Sequence, residues 1–251
     1  MKELFIGEVI KRKRKELGLT QEELCEGICE PSTISRIESG KQVPAKNKLD
    51  ALLQRLNLPG DRYYALLSKN ELEISNLQSQ IISCNVSKNK RDGLQYLEKL
   101  EGIVSEDDHL IRQFILRSKI AFGYLDGEDI RPYTFDEKEK ILFEALHLTV
   151  PKFDIEEIDK NFYTIEEIKI INQIALNYSN SGKNKKAIAV YNQLLKYIEK
   201  HFCNMEQTSD IFILISYNYS RILCLEKLPN KPLRLQRMGE KCVFNLENRN
   251  G

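Results

Sequence analysis

Ser32, Thr33 and Arg36 stand together just after Pro31, and Ile34 and Ile37 alternate with them. Hydroxyls and a guanidinium are the groups that hydrogen-bond base edges or phosphate oxygens, and the two isoleucines could dock the opposite side of the same helix on a core. The chain offers little for covalent or metal chemistry. His109, His147 and His201 are far apart, and there is no glycine-rich phosphate loop or nucleophile motif. Acidic pairs such as Glu156-Glu157 and Glu166-Glu167 read as solvated helix faces. The six cysteines, at 25, 29, 84, 203, 224 and 242, contain no CxxC pair, which fits reduced thiols better than a disulfide scaffold or a zinc site. Cys25 and Cys29 are four residues apart, but no histidine or third cysteine stands near them. The residues predict a binding protein rather than an enzyme, with no cofactor and no metal.

Positioning those groups falls to helices. Twelve Gly and seven Pro in 251 residues are too few for the frequent turns of an all-β chain. Helical periodicity runs almost throughout, so an all-α fold is expected. Leu4, Phe5, Val9, Ile10 and Leu17 share one helix face that stops at Gly18. Thr20 and Glu23 have the spacing of a capping box, in which each side chain accepts from the other's backbone N–H. Pro31 suits the first turn of a third helix, because its missing N–H has no partner to lose there, and Gly40 closes that helix. A fourth helix carries Leu49, Leu52, Leu53 and Leu56. Pro59-Gly60 opens a fifth with Tyr63, Tyr64, Leu66 and Leu67. These five helices predict a compact domain over 1–67. Leu72, Ile74, Leu77 and Ile81 predict a linker helix over 68–88. Helical stretches over 89–104, 108–124, 135–148, 165–179, 186–201 and 210–225 then alternate with short polar breaks, as antiparallel helix pairs do.

Thirty-eight Lys+Arg against thirty-seven Asp+Glu give a formal charge of +1, so a polyanionic partner must be met by a local patch. The N-terminal stretch has no apolar core of a signal peptide, and the run Ile211 to Ile215 is too short to span a bilayer. A cytoplasmic protein without a membrane partner is expected.

The segment Leu19 to Lys41 resembles the phage-repressor (Cro/cI-like, or XRE) helix-turn-helix. Leu19-Thr20-Gln21-Glu22-Glu23-Leu24 and Ser32-Thr33-Ile34-Ser35-Arg36-Ile37-Glu38 carry the likeness, with Cys29 where the family usually has a small residue. It implies a five-helix lambda-repressor-like domain that binds double-stranded DNA. By position, Gln21 would meet a phosphate, Ser32 and Arg36 would face base edges in the major groove, and Thr33 would lie close to bases or backbone. Lys41 and Lys46 would contact phosphates. The resemblance also implies that Arg14 pairs with Glu38, while the rest of the run Lys11 to Lys15 reads as a solvated helix face. An ordinary helical hairpin is the bland alternative.

Further along, Ile171, Ile174-Ala175, Tyr178, Gly182, Ala187 and Tyr191 fit the spacing of a tetratricopeptide repeat. Lys169, Asn172, Leu176 and Ser179 form a stripe about a third of a turn from the apolar face, expected to line a concave surface. The Asn172 amide could donate to and accept from a peptide backbone, Lys169 could meet a peptide carboxylate, and Asn218 and Arg221 stand on the next helix. A merely solvated polar stripe has the same pattern. An XRE domain followed by degenerate repeats resembles the RRNPP peptide-pheromone regulators (Rgg/PlcR-like). That implies a cytoplasmic, homodimeric transcription factor whose tetratricopeptide-like domain, over 89–251, binds a short signalling peptide. The alternative is a helix-turn-helix protein whose repeats grip a protein partner, as an adaptor or a phage- or toxin-type repressor, without peptide sensing.

Overall fold

The computed structural model describes residues 6–58, 69–201 and 209–226. The fifth predicted helix, opening at Pro59-Gly60, lies outside them. The chain divides into two compact units, Met1–Lys152 and Phe153–Gly251.

Four helices begin the first unit: α1 (Ile6–Glu16), α2 (Gln21–Cys25), α3 (Pro31–Glu38) and α4 (Lys46–Arg55). The Thr20–Glu23 capping box forms, with Glu23 N–H donating to Thr20 Oγ1 at 3.1 Å and Thr20 N–H to Glu23 Oε2 at 2.7 Å. These bonds pair first-turn donors that no helical carbonyl can reach. The same box starts a later helix at Thr134. Ile10, Leu24, Ile34, Ile37, Leu49, Leu52 and Leu56 close into one core. Gly7 lets α1 cross α3 closely, since a Cβ there would collide with the Ile37 carbonyl.

Next come α5 (Lys69–Ser87), α6 (Lys90–Ile103), α7 (His109–Phe122) and α8 (Phe135–His147). Ile74, Leu77 and Ile81 of α5 pack with Leu97 and Leu100 of α6 and with Ile111, Phe114 and Ile115 of α7. Asn89 caps α6 by accepting from the Asp92 N–H at 3.3 Å, and this turns the chain back after α5. The sequence gives no strand signal, yet β1 (Tyr124–Asp126) and β2 (Asp129–Arg131) pair antiparallel across the expected Asp126-Gly127 turn. Strands of three residues are too short to show a period of two.

Among its described residues the second unit holds a 3-10 turn at Ile158–Lys160, then α9 (Ile165–Asn180), α10 (Asn184–His201) and α11 (Ser209–Leu225). Ala175 and Ala187 are fully buried where α9 meets α10, so small side chains let the two backbones approach. Tyr191 stacks on Tyr219 of α11 at 5.6 Å between ring centroids. No helix among the described residues is long and apolar enough to cross a membrane.

Candidate nucleic-acid interface

Helix α3 presents two unlike faces. Ile34 and Ile37 are 0% and 1% exposed and root the helix in the core. Pro31, Ser32, Ser35 and Arg36 are exposed, and Thr33 is half-buried. Glu30 and Pro31 explain the start: Pro31 occupies the first turn, and no side chain caps it. The end is a tight turn, in which Gly40 N–H donates to the Ile37 carbonyl and Lys41 N–H to that of Arg36. The sequence-predicted base readers therefore stand together on an outward surface, one helical turn apart.

Arg14 and Glu38 fix that helix from behind. Arg14 Nε and Nη2 donate to the two Glu38 carboxylate oxygens at 2.6 and 2.9 Å, and Nη1 donates to the Leu19 carbonyl at 2.8 Å. The Gln21 amide donates to Glu38 Oε2 at 2.8 Å. One carboxylate thus ties α1, α2 and α3 together. Burial pushes the Glu38 carboxyl up, but hydrogen bonds from Arg14 and Gln21, with the Arg14 charge, outweigh it and hold the group below the usual carboxylate range. Gln21 uses one amide N–H in this way and keeps a second. Lys41 is exposed. Lys46 is exposed too, and its ammonium lies 2.6 Å from Asp50.

The turn between α2 and α3 has a support that sequence reading missed. Arg55, on α4, is buried and donates through Nη1 to the Leu24 carbonyl at 3.2 Å and to the Glu26 carbonyl, and through Nη2 to the Thr149 carbonyl at 2.8 Å. Gln113 of α7 donates to Thr149 Oγ1 and to the Ala145 carbonyl at 2.9 Å. Gly27 lies in the turn with φ +69°, and a Cβ there would run into the Thr149 backbone. The end of α8 therefore rests on the helix-turn-helix itself. A lone arginine carries no sign of this in sequence.

The expected peptide stripe is only partly open. Lys169, Leu176 and Ser179 are half-buried and Arg221 is exposed. Lys169 lies 3.6 Å from Glu166, Ser179 donates to Asn184 Oδ1 at 3.0 Å, and Arg221 reaches Asn180 at 3.5 Å. Asn172 and Asn218 differ from the expectation of solvent-facing amides, being 4% and 7% exposed. Asn172 Oδ1 accepts from Tyr191 Oη and from Asn218 Nδ2, both at 3.2 Å. The physical reason is α11, which packs beside α9 and covers the edge of the stripe. Replacing Asn172 by Ala takes the shared acceptor from the buried Asn218 amide and leaves Tyr191 Oη with the Asn172 backbone carbonyl, at 3.4 Å. Urea unfolding should show a loss of about 1–3 kcal/mol, and an unchanged midpoint would deny the network.

A helix-turn-helix with an outward, polar, leading edge defines the class: this is a DNA-binding regulator fold. Two family models place it further. Residues 10–62 match the helix-turn-helix family, and residues 134–248 match the RNPP family C-terminal domain. That pairing makes the chain similar to the RRNPP-type regulators. Among solved structures it is similar to a crystal structure of Bacillus thuringiensis PlcR in complex with the peptide PapR7 and DNA. The two share 20% identity at a TM-score of 0.51, over 97% of this chain and 81% of that one. No match is found among curated protein sequences.

Proposed function

We propose that the protein is a sequence-specific transcriptional regulator, working as a cytoplasmic homodimer, whose helical domain binds a short signalling peptide and which catalyses no reaction. The observation that carries this reading is α3: Ser32 and Arg36 stand exposed on a helix whose opposite side is locked into a core. Ser32, Thr33 and Arg36 read base edges, and Gln21, Lys41 and Lys46 hold phosphates. The latter contacts fix register without reading sequence. The functional division follows the sequence: DNA binding over 1–67, a linker helix over 68–88, and sensing and dimerisation over 89–251. Lys169, Leu176, Ser179 and Arg221 line the peptide face. Asn172 and Asn218 form its floor, exchanging partners when a peptide backbone arrives.

Arg36 supplies the test. A guanidinium bidentate to guanine contributes about 1–3 kcal/mol of discrimination, roughly tenfold to a hundredfold in affinity. Arg36→Ala should lose that much on the cognate site while its affinity for random duplex falls far less. Equal losses on both duplexes in fluorescence anisotropy titrations, at one salt concentration, would refute the base-reading role.

A further inference from the structure

Helix α5 has two sides, and its packing accounts for only one of them. Ile74, Leu77, Ile81 and Cys84 are buried against α6 and α7. On the far side Ser75, Ser79, Ile82 and Val86 are exposed, Ile82 at 52% and Val86 at 79%. Their spacing of four, three and four residues keeps them on one face, as in a coiled-coil seam.

That outer face lacks what solvated helix faces elsewhere in the chain carry. The protein is 30% charged, yet residues 74–87 include no Asp, Glu, Lys or Arg. Interface cores are depleted in charged residues in the same way. The Ser79 hydroxyl needs no water either, because its Oγ donates to the Ser75 carbonyl at 2.9 Å. A hydroxyl bonded to its own helix can be covered without stranding a donor. Charge returns only at the two ends: Glu71 and Glu73 precede the neutral stretch, and Lys88 and Lys90 follow it.

We infer that this face of α5 is a self-association seam, which pairs antiparallel with α5 of a second copy of the chain. One register satisfies size and charge together. It sets Ser79 opposite Ile82 and Ser75 opposite Val86, so small side chains face large ones and the two helices can approach closely. The same register brings the acidic start of one helix, Glu71 and Glu73, beside the basic end of the other, Lys88 and Lys90. Each contact occurs twice, as a two-fold axis requires. A parallel pair would stack serine on serine and would oppose like charges at both ends. The occupant is therefore this chain itself, because its own sequence supplies the complement in size and in charge. The seam gives the proposed homodimer its contact and rests on that reading. Its few layers bury less than the roughly 800 Å² per partner of a standard interface, so the free dimer dissociates on dilution.

Sedimentation velocity on the full chain, without DNA, under reductant and at low salt, supplies the test. The wild type should be a reversible dimer between micromolar and submillimolar concentration. Ile82→Glu sets two carboxylates in the seam and should raise the dimer Kd roughly a hundredfold or more. Because Ile82 is exposed, the variant should keep the thermal midpoint of the wild type. Charge reversal checks the register. Glu73→Lys and Lys88→Glu should each raise Kd several-fold, and the double variant should restore it. The two residues stand about 22 Å apart along one helix, so rescue can arise only between copies. A wild type that stays monomeric throughout overturns the homodimer reading and the seam with it. A dimer that survives Ile82→Glu overturns the seam alone, and its dissociation by Tyr217→Glu instead would move the contact to the exposed face of α11. Reversals without rescue overturn the antiparallel register.

Discussion

Replacing Glu38 by Ala is expected to lower the unfolding free energy by about 3–5 kcal/mol, the usual cost of breaking a buried ion pair from one side. The variant leaves the Arg14 guanidinium buried, with the Leu19 carbonyl as its one remaining partner in the network, and frees the Gln21 amide that Glu38 held. Three helices lose their shared tie. Glu38→Gln keeps the volume and one acceptor, so it should be milder. The wild type should also show a dependence on pH with a definite sign. The folded carboxyl is held below its ordinary range, so its contribution is present above the unfolded value and is lost as pH falls through the folded one. Urea midpoints of wild type and Glu38→Ala should therefore converge on acidification. Parallel curves down to strongly acid pH would show that Glu38 carries no such linkage.

Gly27→Ala should be nearly as damaging, for two reasons that a companion variant separates. A left-handed conformation costs a side-chain-bearing residue about 1–2 kcal/mol. Overpacking against unyielding backbone adds about 1–3 kcal/mol. Gly27 meets both, because its φ is +69° and its Cβ would strike Thr149. Gly40 has φ +72° with open space around it, so Gly40→Ala should lose the conformational part alone. Thermal unfolding of the pair then reads the contact between the turn and the end of α8. Equal destabilisation by both variants would mean that this contact carries no energy.

Much of this was legible in the sequence, for identifiable reasons. Local hydrogen-bond chemistry writes itself into short spacings, and so the Thr20–Glu23 box and the Pro31 start appear where the residue types require them. The alternation of Ile34 and Ile37 with Ser32 and Arg36 likewise fixes which side of α3 faces out. Contacts made across the chain leave no such mark. Arg55 and Thr149 are ninety-four residues apart, and Arg55 ends α4 where a basic residue looks like ordinary helix punctuation. Asn172 stands one position from the buried face of α9, and only the packing of α11 decides whether its amide meets solvent or Asn218. Periodicity assigns a residue to a face, whereas neighbours from elsewhere in the chain decide how much of that face is covered.

Selection of bound sites from a random duplex library, run side by side with wild type and Arg36→Ala, goes to the heart of the account. The expected outcome is a palindromic site for the wild type, with half-sites one helical turn (about 34 Å) or a multiple of it apart, and relaxed preference at one position of each half-site for the variant. Recovery of no enriched sequence by the wild type, with duplex retained only through salt-sensitive, sequence-blind attraction, would contradict it.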